Sequence, residues 1–227
     1  MTVFLDWYQR LGRLGLRLLC LHLLWLAWTL RGGILLGAFP ATAALHGVLR
    51  EDARFAVAHP DEPPVLAGLR ARFGELWHRE FAAANRLGAL LVLCWAILVL
   101  DRRVVAHLDL GDFGPLIAGG LTVAGVWLGV VTALVWPLQS HFDESAGALL
   151  RRALVLTAGR PVTAASAGAG VGVLLCAYYL VPGLIPVFGL AAPAAMATTV
   201  LWRSGVLAAR AEAPETSRPS SPAPAKL

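Results

Sequence analysis

Pro40, Thr42 and His46 are the residues of this chain whose types and spacing offer the most chemistry. A helix running through Pro40 lacks one N–H, so a carbonyl one turn earlier loses its partner. Thr42 and His46 lie one turn apart on the same face. A hydroxyl and an imidazole beside a free carbonyl would line a small polar site. The plainer reading is a kink that only fits neighbouring helices. Elsewhere the ingredients of catalysis are missing. No GxxxxGK[ST] loop or GxGxxG turn cradles a phosphate, and the six histidines form no HExxH pair. His141 stands near Asp143 and Glu144, where a lone histidine reads as a solvated or capping group. Cys20, Cys94 and Cys176 share no CxxC spacing and each lies inside an apolar run, which argues for packing residues and against a disulfide framework or a zinc site. Neither enzyme activity nor a cofactor or metal is expected.

The elements that hold these residues are apolar stretches long enough to cross a bilayer. Hydrophobic residues make up 58% of the chain and charged ones 15%, the balance of a polytopic membrane protein. Six stretches qualify at about 20 residues per crossing: 14–30, 33–48, 82–100, 115–138, 162–181 and 184–202. The expected fold is therefore all-α, a membrane helix bundle over 14–205. With the N-terminus inside, sixteen of the nineteen basic residues fall on the cytoplasmic face, and only Arg31, Arg102 and Arg103 fall outside. Stretch 33–48 is short and holds Pro40, so five crossings plus one re-entrant segment is the rival arrangement. That rival puts the N-terminus outside and separates the charges less well. The net charge of +5 flanks apolar runs and forms no basic tract, which points to orientation and anionic lipid, not nucleic acid. Arg10–Arg17 followed by Leu18–Leu30 mimics a signal peptide, but five later spans favour a retained helix.

Between and around the spans, residues 1–13 mix aromatic, leucine and arginine side chains as interfacial segments do. Leu66, Leu69, Phe73, Leu76, Trp77, Phe81 and Ala84 recur at helical spacing, with charges at other angles. This predicts an amphipathic helix over 66–86 on the cytoplasmic surface, lying on lipid or docking a partner. Asp101, Asp109 and Asp112 mark the opposite side, and Pro193 is expected to kink the last span. Residues 206–227 read as a disordered tail. Gly125 and Gly129, and Ala164, Gly168 and Gly172, recur every four residues and would let helix backbones approach closely.

Two segments go beyond pattern. Phe39-Pro40-Ala41-Thr42-Ala43-Ala44-Leu45 after Leu24-Trp25-Leu26, and Trp136-Pro137-Leu138 through His141-Phe142-Asp143 followed by Arg151-Arg152-Ala153-Leu154, resemble the two recurring stretches of the YesL-like bacterial membrane family. The resemblance spans about residues 14–205. It adds Phe142 and Asp143 to the candidate functional residues. It also implies an integral membrane protein, often an accessory to ABC-type carbohydrate uptake, in a family with no assigned catalytic residues. An EAA-type coupling motif is not complete here, because Leu150 stands six residues after Glu144 where glycine is required.

Three functions follow as expectations: an accessory to carbohydrate uptake or sensing, an autonomous small-molecule transporter or channel, and a scaffold acting through 66–86. The expected partners are the lipid bilayer and, through 66–86, ABC-transporter components. The expected location is the plasma membrane with both termini cytoplasmic. Impermeant thiol reagents applied from outside should label a cysteine at position 107 and spare one at 60 or 145. Labelling at 60 or 145 would remove the six-span topology.

Overall fold

The computed structural model describes residues 2–60, 62–108 and 111–207, with the backbone alone for 2–7 and 10. All regular structure among them is helical: α1 (Thr2–Arg31), α2 (Leu35–Ala58), α3 (Leu69–His107), α4 (Gly114–His141), α5 (Ala146–Gly159), α6 (Pro161–Leu180), α7 (Ile185–Phe188) and α8 (Ala191–Arg203), with 3-10 turns at Gly111–Phe113 and Pro182–Leu184. The positions expected for Asp109 and for most of the tail lie outside the described residues. Val206 and Leu207 belong to the bundle, and Leu207 is buried.

Helices α1 and α2 form a tight antiparallel hairpin. Gly33 turns at φ +75°, which glycine adopts freely, and Ile34 follows at φ +63°, a strained setting for a branched side chain. The backbones then pass so closely that a side chain at Gly37 would overlap the Thr29 carbonyl. Trp25 with Thr42, and Arg17 with Asp52, continue the pairing with α2 numbers rising as α1 numbers fall.

Helix α2 is the centre of the molecule. Gly37 and every residue from Pro40 to Val48 are buried. Ala41, Ala44, Leu45 and Val48 enter one core with Leu21, Phe73, Leu76 and Ala191. Ala43 enters a second core with Leu87, Leu134, Leu149, Ala164 and Leu201. Small side chains suit a helix packed on all sides, since they allow neighbouring backbones to approach.

The amphipathic stretch 66–86 departs from the sequence reading. It opens a continuous helix of 39 residues, about 58 Å long at about 1.5 Å per residue. Ala82-Ala83-Ala84 favours helix and no proline interrupts it, so the chain runs straight into the next apolar stretch. Its apolar face meets α1 and α2 in place of lipid: Phe73, Leu76 and Trp77 are buried among them. Gly74 makes room for Trp28, since a Cβ there would stand 2.6 Å from the indole. Gly88 likewise receives the Phe39 ring, which also stacks on Trp136 at 6.2 Å.

Among the described residues, four helical segments are long and apolar enough to cross a membrane: Leu11–Arg31, Leu69–His107, Gly111–His141 and Pro161–Leu180. The pair Pro182–Phe188 and Ala191–Arg203, bent by 70°, makes a fifth if it counts as one span. Helix α2 falls short because Arg50, Glu51, Asp52 and Arg54 crowd its second half. The last span breaks at Gly189, φ +31°, and not at Pro193, which lies in the first turn of α8 where a missing N–H costs nothing. The bundle is thus an all-helical, multi-pass membrane protein.

The small-residue positions divide. A Cβ at Gly168 would lie 2.7 Å from Val130 Cγ2, and one at Gly125 would touch Leu98 at 3.4 Å. At Gly129 and Gly172 it would meet nothing within 4 Å, so these two depart from the close-packing expectation. Gly168 thus faces Val130 of α4, while Gly172, one turn later, faces open space. Gly168→Leu should therefore lower stability in detergent by about 1–3 kcal/mol, the range for overpacking. Gly172→Leu should leave it unchanged, and equal losses at both sites would contradict this packing.

Candidate functional site at the charged end of the bundle

The structure distributes the signature residues among different neighbours. Pro40 frees the Leu36 carbonyl, and Asn85 Nδ2 of α3 donates to it at 3.1 Å. Thr42 accepts from the Trp25 indole at 3.1 Å and donates to the Ala38 carbonyl at 2.8 Å. His46 Nδ1 lies 3.0 Å from Thr198 Oγ1 of α8. Each polar group of this segment is thus taken up by a different helix, and the segment ties α1, α3 and α8 to α2. Phe142 and Asp143 sit apart from it, just past the end of α4. Arg152 stacks over the Phe142 ring at 4.2 Å and pairs with Glu144, while Asp143 is exposed.

A second constellation gathers where α1 begins its apolar run and α2 ends. Arg17 donates to both Asp52 oxygens, at 3.1 and 2.7 Å, and to the Val65 carbonyl at 2.8 Å. The pair is largely withdrawn from solvent, with side-chain exposures of 10% and 20%. Burial pushes the Asp52 carboxyl up, and the Arg17 guanidinium only partly pulls it back. On the neighbouring turn Arg72 of α3 holds Glu51 through two nitrogens and Glu75 at 2.7 Å. Arg50 donates to the Ser140 carbonyl at the end of α4, and Arg160 to the Ser204 carbonyl at 3.2 Å. Four segments far apart in sequence therefore meet at one end: α1 around Arg17, residues 50–52 with 65 and 72, residues 140–160 and the end of α8.

Beside the Arg17–Asp52 pair lies a cavity of about 660 Å³, bounded by α1, the end of α2, Pro60 with residues 62–66, and α8. Leu14, Leu18, Leu49 and Ala195 give it apolar walls, and Thr198 connects it to His46. Its volume falls within roughly 300–1,000 Å³, the range of small-ligand sites.

Sequence reasoning did not single out Asn85, Arg17 or Asp52. An arginine inside a leucine run was the available signal for a buried ion pair. Its partner, 35 residues on, is fixed only by the hairpin.

Comparison with known proteins places the chain in a family. Residues 18–102, from α1 through most of α3, match the family described as "Protein of unknown function, DUF624". The chain is 31% identical to the uncharacterized protein YteU of Bacillus subtilis (strain 168) over 193 residues, 83% of this chain and 77% of YteU. It is 29% identical to the uncharacterized protein YesL of the same organism over 171 residues, 75% of this chain and 76% of YesL. The uncharacterized protein YesV matches at 29% over 169 residues, 73% of this chain and 76% of YesV. The chain belongs to the DUF624 family. No solved structure matches it. The family match takes in the Pro40 segment, the Arg17 partner Asp52 and the Glu51–Arg72 pair, but ends before Trp136 and Phe142.

Breaking a buried ion pair strands a charge, whereas replacing both partners by apolar groups removes two desolvation costs. Arg17→Met alone should cost about 3 kcal/mol, the low end for buried pairs because Asp52 keeps some exposure. Arg17→Met with Asp52→Leu should recover most of that loss in thermal unfolding. A double variant as unstable as the single one would mean that the pair is worth more than its burial costs.

Proposed function

We propose that this DUF624 protein is a non-enzymatic accessory component of a membrane uptake system, with carbohydrate as the substrate class and an ABC-type transporter as the partner. The observation that carries the accessory part is the use to which the polar groups are put. Arg17, Asp52, Glu51, Arg72, Arg50 and Asn85 all brace the bundle. The apolar segments 114–139 and 161–180 contain no Asp, Glu, Lys, Arg or His. An ion-coupled carrier needs charge at membrane depth, so the chemistry favours a protein that assists transport over one that drives it. The carbohydrate part rests on the resemblance to the YesL-like family.

The gathering of segments at one end supports the six-crossing topology with both termini cytoplasmic. The Arg17–Asp52 bond keeps Arg17 of α1 and the second half of α2 at one level, which suits a crossing by 33–48 better than a re-entrant segment. A partner would meet the exposed charged face of α3, at Arg70, Glu75, His78 and Arg79, because the apolar face is occupied by α1 and α2. The alternative of an autonomous small-molecule carrier draws on the 660 Å³ cavity.

Charge reversal at Arg70 and Arg79 to Glu should leave insertion intact, abolish cross-linking to a transporter subunit from position 75, and slow growth on the affected sugar. Normal growth of a strain lacking the protein on every sugar that its neighbouring transporters serve would overturn the carbohydrate role. A purified protein that moves solute alone in proteoliposomes would favour the carrier.

A further inference from the structure

The cavity beside Arg17 combines features that define a ligand independently of the accessory reading. Two stripes of α1 face it, an apolar one of Leu14 with Leu18 and a basic one of Arg13 with Arg17, each pair one turn apart. Polar groups reach into it at depth: Thr198 and Arg17 are both more than nine-tenths buried. Arg17 is consumed by Asp52 and the Val65 carbonyl, so it offers a ligand little further charge. The charges left over are Arg13 and Glu62, both exposed, both lining the cavity, and neither in an ion pair with another described residue. A purely anionic group held by Arg13 would be repelled by Glu62, and a purely cationic one held by Glu62 would be repelled by Arg13. One head carrying both a phosphate and an ammonium satisfies both. The rest of such a ligand must be apolar, because Leu14 and Leu16, which line the cavity, stand exposed on α1 where the helix enters its membrane-crossing run.

We propose that this cavity binds the zwitterionic headgroup of a membrane phospholipid, its phosphate on Arg13 and its ammonium on Glu62, with an acyl chain laid along the leucines of α1. The Thr199 hydroxyl, exposed on the α8 wall, is placed for the ester region. The volume suits a headgroup and the first part of a chain, while the remainder stays in the bilayer. Bound there, the lipid bridges α1, residues 62–66 and α8.

Native mass spectrometry of the full chain, with phosphatidylethanolamine and phosphatidylglycerol of identical acyl chains, tests this. The zwitterionic lipid should be retained at least about tenfold better, and Arg13→Gln or Glu62→Gln should each remove about that factor, as loss of one charge-assisted contact implies. Both residues are exposed, so these variants should unfold at the same temperature as the parent. Free phosphoethanolamine at the same concentration should not compete. Equal retention of the two lipids, or a preference unchanged in both variants, would overturn the proposal. So would competition by free phosphoethanolamine, which would make the ligand a soluble zwitterion. A benzophenone side chain at Ala56 should cross-link to lipid. Cross-links to residues 208–227 or to a second copy would assign the cavity to that occupant instead.

Discussion

Everything in this bundle is arranged around one buried helical segment, Pro40 to Val48 of α2. Its residues are small enough that α1, α3, α4 and α8 can all close on it, and the two hydrophobic cores lie on its opposite sides. In a bilayer apolar burial supplies little drive for helices to associate, so close approach and internal hydrogen bonds must hold them. The segment supplies both. Alanines and Gly47 set the distances, while Pro40, Thr42 and His46 each engage a different helix. An accessible polar site at this point would need at least one of those groups released from its helix.

The charged end follows from the same geometry. A helix returning antiparallel along α1 delivers Glu51 and Asp52 to the level of Arg17, and α3, antiparallel again, delivers Arg72 to Glu51. A buried ion pair is a poor source of stability, because desolvation offsets attraction. It is a good source of register: a sliding hairpin would strand two charges. At Asp52 burial raises the carboxyl and the Arg17 guanidinium lowers it, with burial the larger cause. The cavity next to the pair is lined on one side by Pro60 and by Glu62, Pro63, Pro64, Val65 and Leu66.

Long helices also explain why span counting and packing disagree. The half of α3 that reads as a surface helix is amphipathic because it faces protein, and the half that reads as a span is apolar because it faces largely outward, with Val92, Leu93, Ile97 and Leu100 exposed. One covalent rod serves both environments. Conversely, α2 lacks the composition of a span, yet its segment Pro40–Val48 is wholly buried because its partner helices surround it.

The all-helical class, the membrane setting, most helix positions and the family resemblance were legible from the chain alone, because apolar length and basic flanks are local properties. The close contact at Gly168 was legible too, while the open surroundings of Gly172 were not, since spacing along one helix says nothing about where its neighbour diverges. The same holds for Pro40. Sequence shows that a carbonyl loses its partner, but only the tertiary structure decides that Asn85 replaces it. Amphipathicity revealed the apolar face of 66–86 without revealing whether lipid or protein covers it. Pairings across 35 or 152 residues, Arg17 with Asp52 and His46 with Thr198, depend on how the helices cross, and that geometry is a property of the whole bundle.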